Sequence, residues 1–502
     1  MKKYTRWGNR PLKALGLWAM LVLIQGLLVL PGHAEEKMKE NKEAVQQEEK
    51  KADTKEAVEQ GKKTEDAREA VQLDDITVMA AQPGVEITPD KTIIRMDEFV
   101  KPGDVRTLTD VLKTMGGIDV MRINPIMASP GDEVSIRGMN EGRLVIEIDG
   151  RRINHTGHYG RYIVDWSTLN LDDIEKIEII RGGHSVLHPF AIGGVINIIT
   201  KKGKKTDDPT PNVRAKAGVG AFTTSTQSLS IDGGAFEVVG YDFSVNNGST
   251  KGFLRNNYQD TTTLNGHLSF FMPMDAVLEL GVKYADVDYG FPVVNDPSRT
   301  DYDPGSPNFY ADADQLRHLN WPQYAENDPH WKKHTTYLDA IFHMPVGPGT
   351  VNIHGYQTSG RRWTSLYNKM GAFQSDQFTD DRTEGIIAEY RDIDLFGFNR
   401  VTVGYEYQVL GQPSQNPDIY RVNSAYIQDV ITIGDRWRIT PGVRYYHVDM
   451  DTYYAQFGKG WPVAGKKETD DGFYPSLRAD FQATDETAVY AAVSRSYRLP
   501  CP

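Results

Sequence analysis

Two short polar stretches bring together side chains that could do chemistry. Residues 122–132 open with Arg122 and Asn124, and residues 154–162 hold His155, His158, Tyr159, Arg161 and Tyr162. His155 and His158, three apart, are of the type that ligates a metal or a haem iron. Solvated loop histidines are common, however, and the bland reading carries no ligand. Basic and aromatic groups together suit another task, stacking on and neutralising a flat anionic ligand. A third stretch, 289–333, supplies Tyr302, Phe309, Tyr310, Trp321, Tyr324 and Trp331. A connection of that length is functional, disordered or a covering lid. Catalytic machinery does not stand out: there is no nucleophile–base pair, phosphate loop or zinc-type cysteine–histidine spacing. The single cysteine, Cys501, leaves no internal disulfide to form. The expectation is therefore not an enzyme, with no catalytic residue, no metal and no cofactor.

The polar stretches lie between short β-branched runs bounded by Gly, Asp or Asn, which is the strand signature. Leu144–Ile148, Ile174–Ile180 and Gly194–Ile199 are such runs, with Thr92–Met96, Ile118–Val120 and Val134–Arg137 ahead of or among them. Asp149-Gly150 reads as a tight turn between Ile148 and Ile153. Gly193-Gly194 reads as a bend or a close backbone approach. Leu108, Val111, Leu112 and Met115 share one helix face, with Thr107 able to cap its start and Gly116-Gly117 able to end it. Residues 82–205 thus read as a small α+β domain.

From Asn212 on, apolar and polar residues alternate strictly. Leu278, Leu280, Val282 and Tyr284 alternate with Glu279, Gly281, Lys283 and Ala285; Val401, Val403, Tyr405, Tyr407 and Val409 alternate with Arg400, Thr402, Gly404, Glu406 and Gln408. The segments have the length a tilted strand needs to cross a bilayer. Short turns, read at Gly233-Gly234, Met272–Asp275, Val346–Gly349, Leu395–Asn399, Ile433–Arg436 and Ala483–Glu486, alternate with long loops near 247–259, 289–333, 365–382, 411–419 and 452–472. That is the layout of a transmembrane antiparallel β-barrel. Counting gives thirteen strands, with edges at Asn212 and Tyr497.

The run IEKIEIIRGGHSVLHPFAIGGVINIITK, with VSIRGMN and LVIEIDGRRI ahead of it, resembles the plug domain of TonB-dependent outer-membrane receptors. The family pattern usually has Pro at the position of Gly183 and Tyr-Gly at His188-Pro189. The resemblance implies a plug held in a barrel of about 22 strands, so the chain reads as a partial barrel of 13 strands, cut short by roughly nine. It also implies that the loops bearing Arg122, Asn124, His155, His158, Tyr159, Arg161 and Tyr162 touch substrate. The substrate class would be a ferric siderophore, cobalamin or haem, taken up at the outer membrane of a Gram-negative cell. The alternative left open is a non-transporting truncated product acting at most as a binding module, since unpaired strand edges are costly in lipid.

The rest of the chain fits that frame. Basic Lys2, Lys3, Arg6, Arg10 and Lys13 precede an apolar run to Leu30, and Gly32-His33-Ala34 follows: residues 1–34 read as a signal peptide, or as an uncleaved anchor. Residues 35–72 are a Glu/Lys-rich linker without aromatic residues, unable to build a core. Residues 73–81 resemble the TonB box, in which Asp75, Ile76, Thr77, Val78, Met79 and Ala80 would pair with the inner-membrane coupling protein TonB. Residues 206–502 complete the chain as the partial barrel. With 56 basic against 68 acidic residues the net charge is −12, which argues against nucleic acid. The implied partners are TonB, the small-molecule substrate and outer-membrane lipid.

Overall fold

The computed structural model describes residues 78–79, 83–88, 91–100, 107–122, 127–129, 132–140, 142–156, 162–182, 185–310, 330–367, 373–412, 418–452, 466–484 and 487–499. The expected leader and linker lie outside them. Among the described residues no helix is long and apolar enough to cross a membrane.

Strands β1 (Val78–Met79), β2 (Val85–Ile87) and β3 (Lys91–Arg95) are followed by helices α1 (Met96–Phe99) and α2 (Leu108–Lys113). Next come β4 (Ile118–Met121), β5 (Glu133–Ile136), β6 (Leu144–Ile148), β7 (Arg151–Arg152), β8 (His155–Thr156), β9 (Tyr162–Ile163), β10 (Ile174–Arg181) and β11 (Gly194–Thr200). Seven of these form one mixed sheet in the order β1-β2-β3-β10-β11-β6-β7, with β11 parallel to β6. Thr107 caps α2 in a capping box: its side chain accepts from the Asp110 backbone, and the Asp110 carboxylate accepts from the Thr107 backbone. The apolar face of α2 (Leu108, Val111, Leu112) packs on Ile94, Ile136, Ile146, Ile177 and Ile196. Each such side chain taken fully out of water contributes roughly 1.5–3 kcal/mol. Asp149 and Gly150 have φ +51° and +84°, the left-handed pair that a two-residue hairpin demands. The Asp149 carboxylate accepts from Thr200 (N 3.0 Å, Oγ1 2.7 Å) and clamps that hairpin to β11.

Thirteen further strands form one sheet in which every neighbour in sequence is an antiparallel neighbour in space. They are β12 (Asn212–Gly220), β13 (Thr224–Ala235), β14 (Val239–Thr250), β15 (Gln259–Phe271), β16 (Val277–Gly290), β17 (His330–Val346), β18 (Gly349–Tyr367), β19 (Phe373–Leu395), β20 (Asn399–Gln412), β21 (Asp418–Ile433), β22 (Trp437–Thr452), β23 (Lys466–Thr484) and β24 (Thr487–Ser494). No pairing joins β12 to β24 among the described residues, so the barrel wall is open. The alternation sorts as expected. Leu280 and Val282 are 40% and 48% exposed on the outer face, whereas Lys283 and Ala285 are 7% and 1% exposed on the inner one. Val403 and Tyr405 likewise face out and Glu406 and Gln408 face in. The inner face is covered by the plug.

Several readings need correction, among them the loop near 452–472, whose last residues belong to β23. Gly233 and Gly234 are not a turn; they lie inside β13, and the chain turns at Phe236–Val238. A Cβ on Gly234 would sit 2.3 Å from the Lys204 carbonyl, so glycine is needed there for close approach of the segment leaving the plug. The loop expected at 365–382 is mostly strand, because β18 runs to Tyr367 and β19 starts at Phe373. Strict alternation marks only part of each of these strands, and both continue beyond it. Tyr497 is not on an edge strand: β24 ends at Ser494, and Tyr497 turns inward among Phe190, Tyr446 and Tyr474 at 6.1, 5.4 and 5.3 Å between ring centres. Burial of that ring against the plug outweighs further pairing.

The close approach is testable. A Cβ on Gly203 would lie 2.0 Å from the Gly240 carbonyl carbon and 2.1 Å from the Tyr241 nitrogen, both backbone atoms that cannot swing aside. Gly203→Ala is expected to lift the segment from the wall at a cost of about 1–3 kcal/mol. Trypsin should then cut faster at Lys201–Lys205 than in the parent.

Candidate functional site

The polar residues that the sheet turns inward meet a polar rim on the plug. The clamped hairpin delivers Arg151, which is fully buried, onto Asp339 of β17. Its Nε and Nη2 donate to the two carboxylate oxygens at 2.5 and 3.0 Å, and Nη1 donates to Thr358 Oγ1 at 2.8 Å. The rings of Tyr337 and Tyr356 flank the guanidinium at 5.2 and 5.4 Å. His354 hydrogen-bonds the same carboxylate at 2.9 Å. Such a bidentate pair is the strong form of a charged hydrogen bond.

A second contact is made by plug residues 185–191. Phe190 N donates to Tyr446 Oη at 3.1 Å and the two rings stack at 5.1 Å. Ser185 Oγ donates to Gln428 at 3.4 Å, and Val186 closes on Gly442, whose missing Cβ makes room for it. Behind this segment Arg444 pairs with Glu406 at 2.8 Å. A third contact joins Asp173 to Ser244 and Lys283, and Lys202 to Glu279. A fourth joins Asp165 to Lys333 at 3.3 Å, and Lys333 to Asp381 at 3.7 Å. Between the plug and strands β16–β21 a cavity of about 460 Å³ remains, lined by Glu178, His188 and Lys202 on one side and His343, Glu389 and Arg391 on the other. The short turns at 347–348 and 396–398 mark the end of the wall it lies toward.

His188 hydrogen-bonds the buried Glu147 at 2.8 Å. Burial pulls its pKa down, but the Glu147 carboxylate outweighs this and leaves it above the ordinary histidine value; Arg444 opposes and Glu178 assists. A raised folded pKa means the stabilisation is complete below the ordinary value and fades as pH rises through the raised one. The melting advantage of the parent over His188→Gln is therefore expected to shrink from mildly acidic to alkaline pH. Thermal melts of both proteins across that range check it.

The expected binding residues are placed as follows. Arg122 pairs with Asp110 inside the plug, with Asp132 3.9 Å away. His155 and Tyr162 lie on the paired strands β8 and β9, and β8 packs against β19 and β20. Asn124, His158, Tyr159 and Arg161 lie outside the described residues. Of the TonB-box residues, Val78 and Met79 form β1, paired with β2 at the edge of the plug sheet; Asp75, Ile76, Thr77 and Ala80 lie outside. Trp331, read as part of the long loop, belongs to β17 instead, packed against Tyr289 and Phe291. Aromatic richness marks both the loop and the strand end it leads into. Trp321 and Tyr324 are outside the described residues, while Tyr302, Phe309 and Tyr310 lie in a lobe organised by buried Asn295, which donates to three carbonyls. The reading missed Arg151, Asp339, Lys333, Glu406 and Arg444. For the four wall residues the one signal was charge on alternating strands; Arg151 follows the Asp149-Gly150 turn of the plug, with no local mark of its partner.

Two domains in this relation have known counterparts. The family described as TonB dependent receptor-like, beta-barrel matches residues 232–500, more than half of the chain. The chain belongs to the TonB-dependent receptors. The family's receptor plug domain matches residues 85–195. A curated relative, the vitamin B12 transporter BtuB of Vibrio vulnificus, is 30% identical over 141 residues, 27% of this receptor and 22% of that protein. Among solved structures, a variant of the ferric enterobactin receptor PfeA from Pseudomonas aeruginosa, in complex with enterobactin, superposes with a TM-score of 0.61 at 18% identity. It covers 83% of this chain and 63% of its own. The FrpB iron transporter from Neisseria meningitidis gives 0.62 at 15% identity, over 79% of this chain and 63% of its own. The likeness to both is one of fold. The receptor chain described here spans less than two thirds of the length of each of these relatives.

Proposed function

We propose that this chain takes part in energised uptake of a scarce nutrient across the outer membrane of a Gram-negative cell, the nutrient being a ferric siderophore, with cobalamin and haem as the other candidates. The observation that carries this reading is the seated plug. Polar groups of the plug are buried against the wall on several sides, led by Arg151 on Asp339. A ligand cannot pass a lumen filled in this way unless work is done on the plug. Residues 75–80, just ahead of the plug in sequence, are the segment on which TonB would do that work. Loop residues 122–132 and 154–162 are the proposed substrate contacts from outside. The relatives' stated cargoes, enterobactin, iron and vitamin B12, support the range of candidates.

The test is uptake of radioiron-labelled ferric enterobactin and ferric citrate, and of labelled cobalamin. Receptor-deficient cells carry the native gene, with and without TonB. Accumulation of one of these only when TonB is present is the expected result. Equal accumulation without TonB would refute energised uptake.

A further inference from the structure

Plug residues 185–191 are seated on the wall at two costs. Phe190 sits at φ +65°, in the left-handed region that a bulky side chain rarely adopts. The wall holds it there, because Tyr446 accepts from its backbone N–H and stacks on its ring. The second cost is Glu147, whose side chain is fully buried. Its Oε1 has no hydrogen-bond partner among the described residues. Its Oε2 is bonded to His188 Nδ1 at 2.8 Å. Arg152, opposite Glu147 across β6 and β7, has its guanidinium carbon 5.2 Å from the centre of the Phe190 ring. A buried carboxylate that loses its cation costs stability. His188 is that cation only while it is protonated. Its side chain is 17% exposed and lines the cavity of about 460 Å³, so its proton exchanges with water. The family pattern usually has Tyr-Gly where this chain has His188-Pro189, so the titrating group belongs to this chain.

The other charged groups around the segment come from several elements. Glu178 on β10, Glu406 on β20 and Arg444 on β22 are nearest His188, with Arg495 at the Phe190 end. Asp149, Lys202, Glu279, Glu389, Arg391 and Asp392 complete the cavity. Carboxylates ordinarily titrate below about pH 5 and lysine and arginine above about pH 10. The phenols of Tyr426, Tyr446, Tyr474 and Tyr497 ordinarily titrate near the upper of these limits. His343 and His354 are the other histidines on the cavity, and both belong to the wall. We propose that residues 185–191 are a pH-sensitive latch between plug and wall: protonated His188 holds the segment on β21 and β22 over Glu147, and loss of that proton frees the segment while the rest of the plug stays seated. Release also lets Phe190 leave its costly backbone conformation. The raised pKa of His188 puts the release on the alkaline side of the ordinary histidine value. The latch is a property of the ligand-free protein and does not depend on which cargo is taken up.

The test uses the full, ligand-free chain in detergent. Amide hydrogen exchange is followed from about pH 6 to about pH 9, at times scaled for the intrinsic pH dependence of exchange. In the parent, exchange over 185–191 is expected to quicken on the order of tenfold across that range, while β10 and β11 stay protected. Glu147→Gln keeps the shape of the buried group without its charge and should make the profile flat. His188→Gln, which removes the titrating group, should do the same. Tyr446→Phe removes the acceptor of the Phe190 N–H, so it should quicken exchange at every pH and leave the pH dependence in place. A flat parent profile overturns the proposal. So does a pH dependence that persists in either Glu147→Gln or His188→Gln, or a loss of protection at β10 and β11 in step with the segment. No cargo enters the measurement, so its failure leaves the uptake reading standing, and failure of the uptake assay leaves the latch standing.

Discussion

Arg151→Ala is expected to loosen the plug from the wall more than any other single substitution in the interface. The variant removes two hydrogen bonds to Asp339 and one to Thr358. It strands the Asp339 carboxylate, 14% exposed, with His354 alone. Breaking a buried pair from one side costs about 3–5 kcal/mol, because the surviving charge stays desolvated. Arg151→Lys should recover only part of this, since an ammonium cannot span both carboxylate oxygens and Thr358. The pair Arg151→Met with Asp339→Leu should recover most of it by removing both charges. Amide hydrogen exchange over β6, β7 and β11 reads the loss directly. Protection in Arg151→Ala equal to the parent would mean that the plug is held elsewhere.

The elements were legible in the sequence because each has a local cause. Thr107 and the Leu108, Val111, Leu112 and Met115 face announce α2, Asp149-Gly150 announces the hairpin, and Leu280 and Val282 alternating with Lys283 and Ala285 announce a wall with a polar inner face. The thirteen wall strands could be counted for the same reason. The site was less legible, because its contacts join residues far apart in the chain. Arg151 and Asp339 are 188 residues apart, and Phe190 and Tyr446 are 256 apart. Nothing at Asp339 itself distinguishes it from the many acidic residues of inward faces. Glycine was the other difficulty. Gly233 and Gly234 look like a turn locally, and only the Tyr241 ring against Gly233 and the Lys204 carbonyl against Gly234 explain them.

Val78→Pro is expected to abolish uptake while sparing binding from outside. Val78 and Met79 pair with Ile87 and Glu86 at the edge of the plug sheet, two residues deep. So short an edge strand separates from its neighbour at little cost, which suits a segment meant to change partners. Proline removes a backbone donor and fixes φ, which harms any strand pairing Val78 must make with a second protein. Since β1 is only an edge, the plug core around Ile94 and Ile177 should be untouched. The measurement is ligand binding to whole cells alongside uptake by the same cells. Binding equal to the parent with uptake at background is the expected pair of results; uptake at the parent level would move the coupling segment away from residues 75–80.

The central claim is that the plug must leave its seat against the wall for cargo to pass. Val186 and Gly442 offer a direct test, because a Cβ built on Gly442 lies 2.8 Å from a Val186 methyl carbon, within reach of a disulfide. In a Cys501→Ser background, Val186→Cys with Gly442→Cys should oxidise in the periplasm and tie plug residues 185–191 to β22. Ligand uptake is then measured in oxidised cells and again after reduction. The account predicts binding in both states, uptake lost when the tether is closed and restored when it is reduced. Full uptake by completely cross-linked protein would contradict it.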